Sequence, residues 1–102
     1  MDKQVQEKMN EIRALCKKSR VSELFLFGSA VRGELNESSD LDFAIIFPQD
    51  LPPLERGEAF FYVLKGLRKL FNREIDLVSY RVVKNPIFKS ELDNTKVPLY
   101  AA

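Results

Sequence analysis

Apolar positions recur along the chain with two periods, and the period predicts the elements. Val5, Met9, Ile12 and Cys16 follow at helical spacing with Leu15 alongside, and polar residues fill the other face. This predicts an amphipathic helix over residues 3–18, closed by Lys17 and Lys18, which suit the negative end of a helix dipole. Residues 23–27 read Glu-Leu-Phe-Leu-Phe and stop at Gly28. So short an apolar run, rich in aromatics, predicts a buried strand. Gly28-Ser29 then predicts a strand-ending turn, and the polar residues 32–39 a loop. A second apolar run over 40–47 predicts another strand, stopped by Pro48, which cannot donate to a ladder.

After a proline-bearing connection at 49–53, Phe60, Val63, Leu64, Leu67, Leu70 and Phe71 share one side of a second amphipathic helix over 54–71. Gly66 inside it suggests close packing on the sheet, at a modest cost in helix propensity. Three successive aromatics, Phe60, Phe61 and Tyr62, cannot all face one core, so at least one is expected near the surface. Residues 74–78 predict a third strand. Residues 86–92 predict a short helix with Asn85 as cap and Pro86 in the first turn. The tail over 97–100 is apolar enough to pair or to dock. The order of elements predicts an α/β domain of the α+β kind, a small mixed β-sheet with helices packed on one face.

The charges that break this pattern carry the chemistry. Alternate residues of a strand share a face, so Asp40 and Asp42 project together while Leu41 and Phe43 enter the core. Adjacent carboxylates raise each other's proton affinity unless a cation lies between them. Asp76, between Ile75 and Leu77, is the one charge inside the third apolar run. If its strand lies beside the second, three oxygen donors converge. Hard oxygen ligands suit magnesium or manganese, and a pair of such ions can bridge the attacking and leaving oxygens of a displacement at phosphorus. Gly28 permits close backbone approach to a ligand, Ser29 offers amide and hydroxyl donors, and Arg32 carries a fork suited to phosphate. Plainer readings stand beside each: Gly28-Ser29 as a mere turn, Asp40 as a cap, Ser39 bonding its own loop, Asp76 as an edge-strand charge. They weaken because all these features occur together at strand ends.

Composition narrows the options further. The chain has 102 residues, enough for one compact core and too few for two. Sixteen basic and fifteen acidic residues leave a net charge of +1, which argues against bulk nucleic-acid binding. There is no histidine, which removes Ser-His and Cys-His hydrolysis, and the single cysteine removes an internal disulfide and any Cys-rich zinc site. No Gly-Lys-Ser or Gly-Lys-Thr marks an ordinary P-loop. No apolar stretch is long enough to span a membrane, and the N-terminus is unlike a signal peptide, so a cytoplasmic setting is expected.

Gly28-Ser29-Ala30-Val31-Arg32-Gly33 followed by Ser39-Asp40-Leu41-Asp42 resembles the signature of the DNA polymerase beta-like nucleotidyltransferase superfamily. The short length and the tail resemble its minimal nucleotidyltransferase branch, whose members often serve as antitoxin partners of HEPN-domain toxins. The resemblance implies one minimal nucleotidyltransferase domain over residues 1–102, with a short mixed sheet flanked by helices. It implies that Gly28 and Ser29 hold the triphosphate with support from Arg32 and Ser39. Asp40 and Asp42 would bind Mg2+ or Mn2+, two ions in all, and Asp76 would hold metal at the acceptor hydroxyl or act as its base. ATP would be the substrate and a tyrosine of a HEPN partner the acceptor, in a homo- or hetero-oligomer. The alternatives are a binding module of the same fold that neutralises its partner by contact, and the nucleotidyl-transfer subunit of an enzyme modifying a small molecule such as an antibiotic.

Overall fold

A computed structural model describes residues 1–34, 36 and 38–102; Leu35 and Glu37, within the predicted loop at 32–39, lie outside the described residues. The elements run α1 (Lys3–Glu7), α2 (Met9–Lys18), β1 (Glu23–Phe27), α3 (Ser29–Arg32), β2 (Leu41–Ile46), α4 (Pro53–Phe71), β3 (Ile75–Ser79), a 3-10 turn (Tyr80–Val82), α5 (Pro86–Thr95) and β4 (Val97–Ala101). The four strands lie in the order β3-β2-β1-β4. β1 is antiparallel to both β2 and β4, whereas β2 and β3 run parallel. The parallel pair needs a long crossover, which α4 supplies.

Side-chain alternation divides the core in two. Leu24, Leu26, Leu41, Phe43, Ile45 and Leu77 point to one face, where they meet Val5, Ile12 and Cys16 of the first helices and Val63, Leu67 and Phe71 of α4. Burial pushes the Cys16 thiol up to about 12, so it behaves as a small apolar group. The other face carries Phe25, Phe27, Ala44 and Ile46 beneath Leu92 and Phe88 of α5. Helices therefore pack on both faces, correcting the one-face arrangement read from element order. Phe25 and Phe27 are apolar as well as Leu24 and Leu26, so β1 has no polar side to leave in water.

Two local readings change, and one left open is resolved. The first helix breaks at Lys8 (φ −102°, ψ 10°) into α1 and α2. The tail pairs with β1 as an edge strand, with an irregularity between Leu24 and Phe25. Gly66 packs against α2 rather than the sheet, since a Cβ there would lie 2.7 Å from the Leu15 methyls. On α4, Phe60 is half-buried while Phe61 and Tyr62 are exposed, as three consecutive aromatics require. Asn85 caps α5, its side chain accepting from the amides of Ile87 and Phe88 at 3.0 and 3.1 Å. The 3-10 turn is bound to α5 through Tyr80, whose hydroxyl donates to Asp93 at 2.7 Å and accepts from Lys89 at 3.1 Å.

Candidate active site

The parallel pairing of β2 and β3 is what builds the site. Asp42 lies directly beside Asp76 in the register, so their side chains leave the sheet on the same face. Asp40 precedes β2 by one residue and, two before Asp42, shares that face. This is the face of Phe27 and Ala44, toward which α5 packs, and the carboxylates stand at its margin beyond the apolar cover. Asp42 is half-buried; Asp40 and Asp76 are exposed.

Electrostatics mark Asp42 as the centre. Its carboxyl is pushed up to about 6 from 3.8, first by burial, then by the charges of Asp76 and Asp40 and a hydrogen-bonding contact with Asp76; Arg32 opposes the rise. Removal from water and like charges each disfavour the ionised form. Asp42 and Asp76 are thus drawn together, and Asp40 acts on Asp42 more weakly. Among the described residues no three carboxylates, thiols or imidazoles are gathered closely enough to hold an ion as they stand.

β1 delivers the other wall. It ends at Phe27, opposite Asp42, and Gly28 turns the chain at φ 74°, ψ −147°, a conformation open to glycine and costly for other residues. A Cβ at Gly28 would lie 2.5 Å from the Asp42 carboxylate oxygen Oδ2. The missing side chain is therefore the space Asp42 occupies. Immediately after, Ser29 begins α3, a helical turn where sequence reading expected only a turn. Helix geometry gives the amides of Ser29 and Ala30 no intrahelical acceptor, so they remain as donors at the turn's opening. The carbonyl of Ala30 accepts from the amide of Asp2 at 3.0 Å, which ties the chain's start to this turn.

Two other motif residues are engaged locally. Arg32 is exposed and paired with Glu34 at 2.5 Å and Glu91 at 3.1 Å, with its guanidinium held further toward the charged form by Glu34. Ser39 accepts from the Asn36 amide at 3.2 Å and so serves its own loop. The amide of Gly28 donates to the Thr95 hydroxyl at 3.2 Å. Thr95 lies 67 residues away, and nothing in the local pattern pointed to it. The site is a shelf at a sheet margin; a concavity of about 400 Å3 lined by Lys18, Arg20, Leu51, Glu55, Glu58 and Tyr62 lies on the far side of the sheet. It gathers charges of both signs, Glu55 and Glu58 with Lys18 and Arg20, on the face away from Asp42 and Asp76, so the shelf is the better candidate.

A mixed four-stranded sheet flanked by helices, with paired aspartates opposite a glycine-serine turn, defines a class of nucleotidyl-transfer domains. The chain belongs to the nucleotidyltransferase domain family, whose model matches residues 9–98. It is 36% identical over 72 residues to the protein adenylyltransferase MntA of Thermococcus cleftensis, covering 71% of this chain and 69% of that protein. A Methanocaldococcus jannaschii protein, named as a candidate protein adenylyltransferase, is 33% identical over 97 residues, or 94% of this chain and 81% of that one. Among solved structures, a protein described as a candidate minimal nucleotidyltransferase superposes with a TM-score of 0.70 at 24% identity, covering 96% of both chains. A chain from a toxin-antitoxin complex crystallised with AMP-PNP gives 0.71 at 21% identity, covering 92% of this chain and 73% of that one. These likenesses establish the shared fold. The domain is a nucleotidyltransferase.

Proposed function

We propose that the domain moves AMP from ATP to a hydroxyl on a partner protein, and that this partner is a HEPN-domain toxin carrying an acceptor tyrosine. The observation that carries the reading is the side-by-side pairing of Asp42 and Asp76 against the Gly28 turn, where a Cβ would collide with the Asp42 carboxylate. Relatives support the acceptor class: one is named a protein adenylyltransferase, and one structural neighbour is an MNT antitoxin in complex with a tri-AMPylated HEPN toxin from Shewanella oneidensis, at 19% identity and a TM-score of 0.62.

Asp40, Asp42 and Asp76 would hold Mg2+ or Mn2+, and the donor set fits: three hard oxygen ligands, no imidazole and no thiol. When bound, such ions neutralise charge on the phosphates and on the attacking oxygen. The chain's own residues do the rest. Ser29, through amide and hydroxyl, orients the triphosphate at the head of α3, while Gly28 keeps the backbone close enough to Asp42 for both to reach it. Arg32 exchanges its carboxylate partners for phosphate oxygens. The acceptor oxygen bonds to the α-phosphorus as the bond to the β-phosphate bridging oxygen breaks and pyrophosphate departs. Asp76, exposed on the edge strand, stands on the open side of the shelf and takes the hydroxyl proton.

Incubating the chain with magnesium, ATP and a HEPN-domain protein of the same source should add AMP to that protein, read as a mass increment on the intact chain. A mass unchanged with wild-type enzyme, or changed equally by the Asp40→Asn, Asp42→Asn double variant, overturns the enzyme. A second reading, neutralisation by contact, is favoured by the exposure of Leu54 (77%) and Phe61 (62%) on α4. A double variant that still silences the toxin without modifying it decides for that reading.

A further inference from the structure

We infer that Thr95 is a positioning residue for the phosphate-binding turn, acting through the backbone of Gly28; this rests on the reading of Gly28-Ser29 as the triphosphate cradle. The last turn of α5 touches that cradle at both ends. At its entry the Gly28 amide donates to Thr95 Oγ1 at 3.2 Å, and the same hydroxyl donates to the Glu91 carbonyl at 2.9 Å. At its exit the Glu91 carboxylate accepts from Arg32 Nη1 at 3.1 Å. Thr95 and Glu91 are one helical turn apart and so share a face of α5.

The bond to Glu91 is the ordinary back-bond of a helical threonine. The bond to Gly28 is not, since it joins residues 67 apart in the chain. Gly28 lies one residue past the β1–β2 ladder, whose last pair is Phe27 with Asp42, so its own amide has no partner in that ladder and meets Thr95 instead. That plane feeds a glycine at φ 74°, ψ −147°, whose rotation sets the direction of the Ser29 amide and hydroxyl. Gly28 is buried, so leaving its amide unpaired would be costly, and the Thr95 hydroxyl supplies the acceptor. Only a hydroxyl at position 95 can accept from Gly28 and donate to Glu91 together. Serine retains both bonds, and valine retains the shape with neither.

The test compares Thr95→Val and Thr95→Ser with wild type, using HEPN-protein AMPylation for kinetics and AMP-PNP binding by calorimetry as a readout free of chemistry. Thr95→Val should lower kcat/KM for ATP about 10–100-fold, mostly through KM, and weaken AMP-PNP to match, as losses of supporting bonds do. KM for the protein acceptor should stay put, and Thr95→Ser should recover to within about threefold. Equal defects in both variants, no defect in Thr95→Val, or a change confined to the acceptor's KM each overturn the role. Should Thr95→Val not fold, an unimpaired Thr95→Ser beside a Thr95→Ala weakened only toward nucleotide supports it, and unimpaired Thr95→Ala overturns it. A wild type that binds AMP-PNP without transferring refutes the enzyme alone, and the binding series still decides Thr95. One that does neither refutes both.

Discussion

The two faces of the sheet are built from the same strands and do opposite work. On the face covered by α1, α2 and α4, β2 presents Leu41, Phe43 and Ile45, all fully buried. On the face covered by α5, the same strand presents Asp42, Ala44 and Ile46, preceded by Asp40. On the first face β2 is buried and apolar along its whole length. The second is apolar only where α5 lies, and at its uncovered margin carries Asp42, which burial and the neighbouring carboxylates make costly to ionise. Stability and chemistry are thereby separated by one residue step along β2.

The comparison can be broken from either side. The largest effect is expected from Asp40→Asn with Asp42→Asn, which should lower AMP transfer about 10³-fold or more, as loss of several kcal/mol of charge stabilisation implies. Folding, followed by circular dichroism, should be intact. The reverse is expected from Phe43→Ala on the closed face: a loss of about 3–5 kcal/mol in urea unfolding, with transfer per folded molecule unchanged below the melting temperature. Gly28→Ala joins the faces, because the new Cβ meets Asp42 Oδ2 at 2.5 Å in a conformation with φ 74°. It should cost about 1–3 kcal/mol of stability and impair transfer together, and a stable, fully active variant would show that Asp42 does not need that space.

The smallest effect concerns pH. Asp42 binds its proton more tightly folded than unfolded, with a value of about 6 against 3.8. Its contribution to stability is therefore complete below the unfolded value and is lost as pH rises through about 6. In chelator at pH 8, Asp42→Asn should melt slightly higher than wild type, and the gap should close on acidification from 6 toward 4. Added magnesium should raise the wild-type melting temperature and leave the variant's nearly unmoved. A gap independent of pH would mean that Asp42 is not held in the environment described.

Much of this was legible in residue order. Strands β1 and β2 announced themselves by apolar runs stopped at Gly28 and Pro48, β3 by a short apolar run around Asp76, and α4 by its spacing. The pairing of Asp40 with Asp42 follows from the two-residue period of any strand, and Gly28 from the need for a turn at a strand's end. Local chemistry sufficed for these, since propensity, alternation and capping act within a few residues.

What remained was decided by distance in space. That β2 and β3 run parallel in a register setting Asp42 against Asp76 depends on the crossover through α4. That α5 covers the second face, that the tail becomes β4, and that Thr95 reaches Gly28 depend on packing between residues far apart in the chain. No local period encodes such contacts, because they are selected by how whole faces bury one another. Residue order alone marked the side chains proposed for nucleotidyl chemistry; the assembled sheet and its last helix determined where they stand.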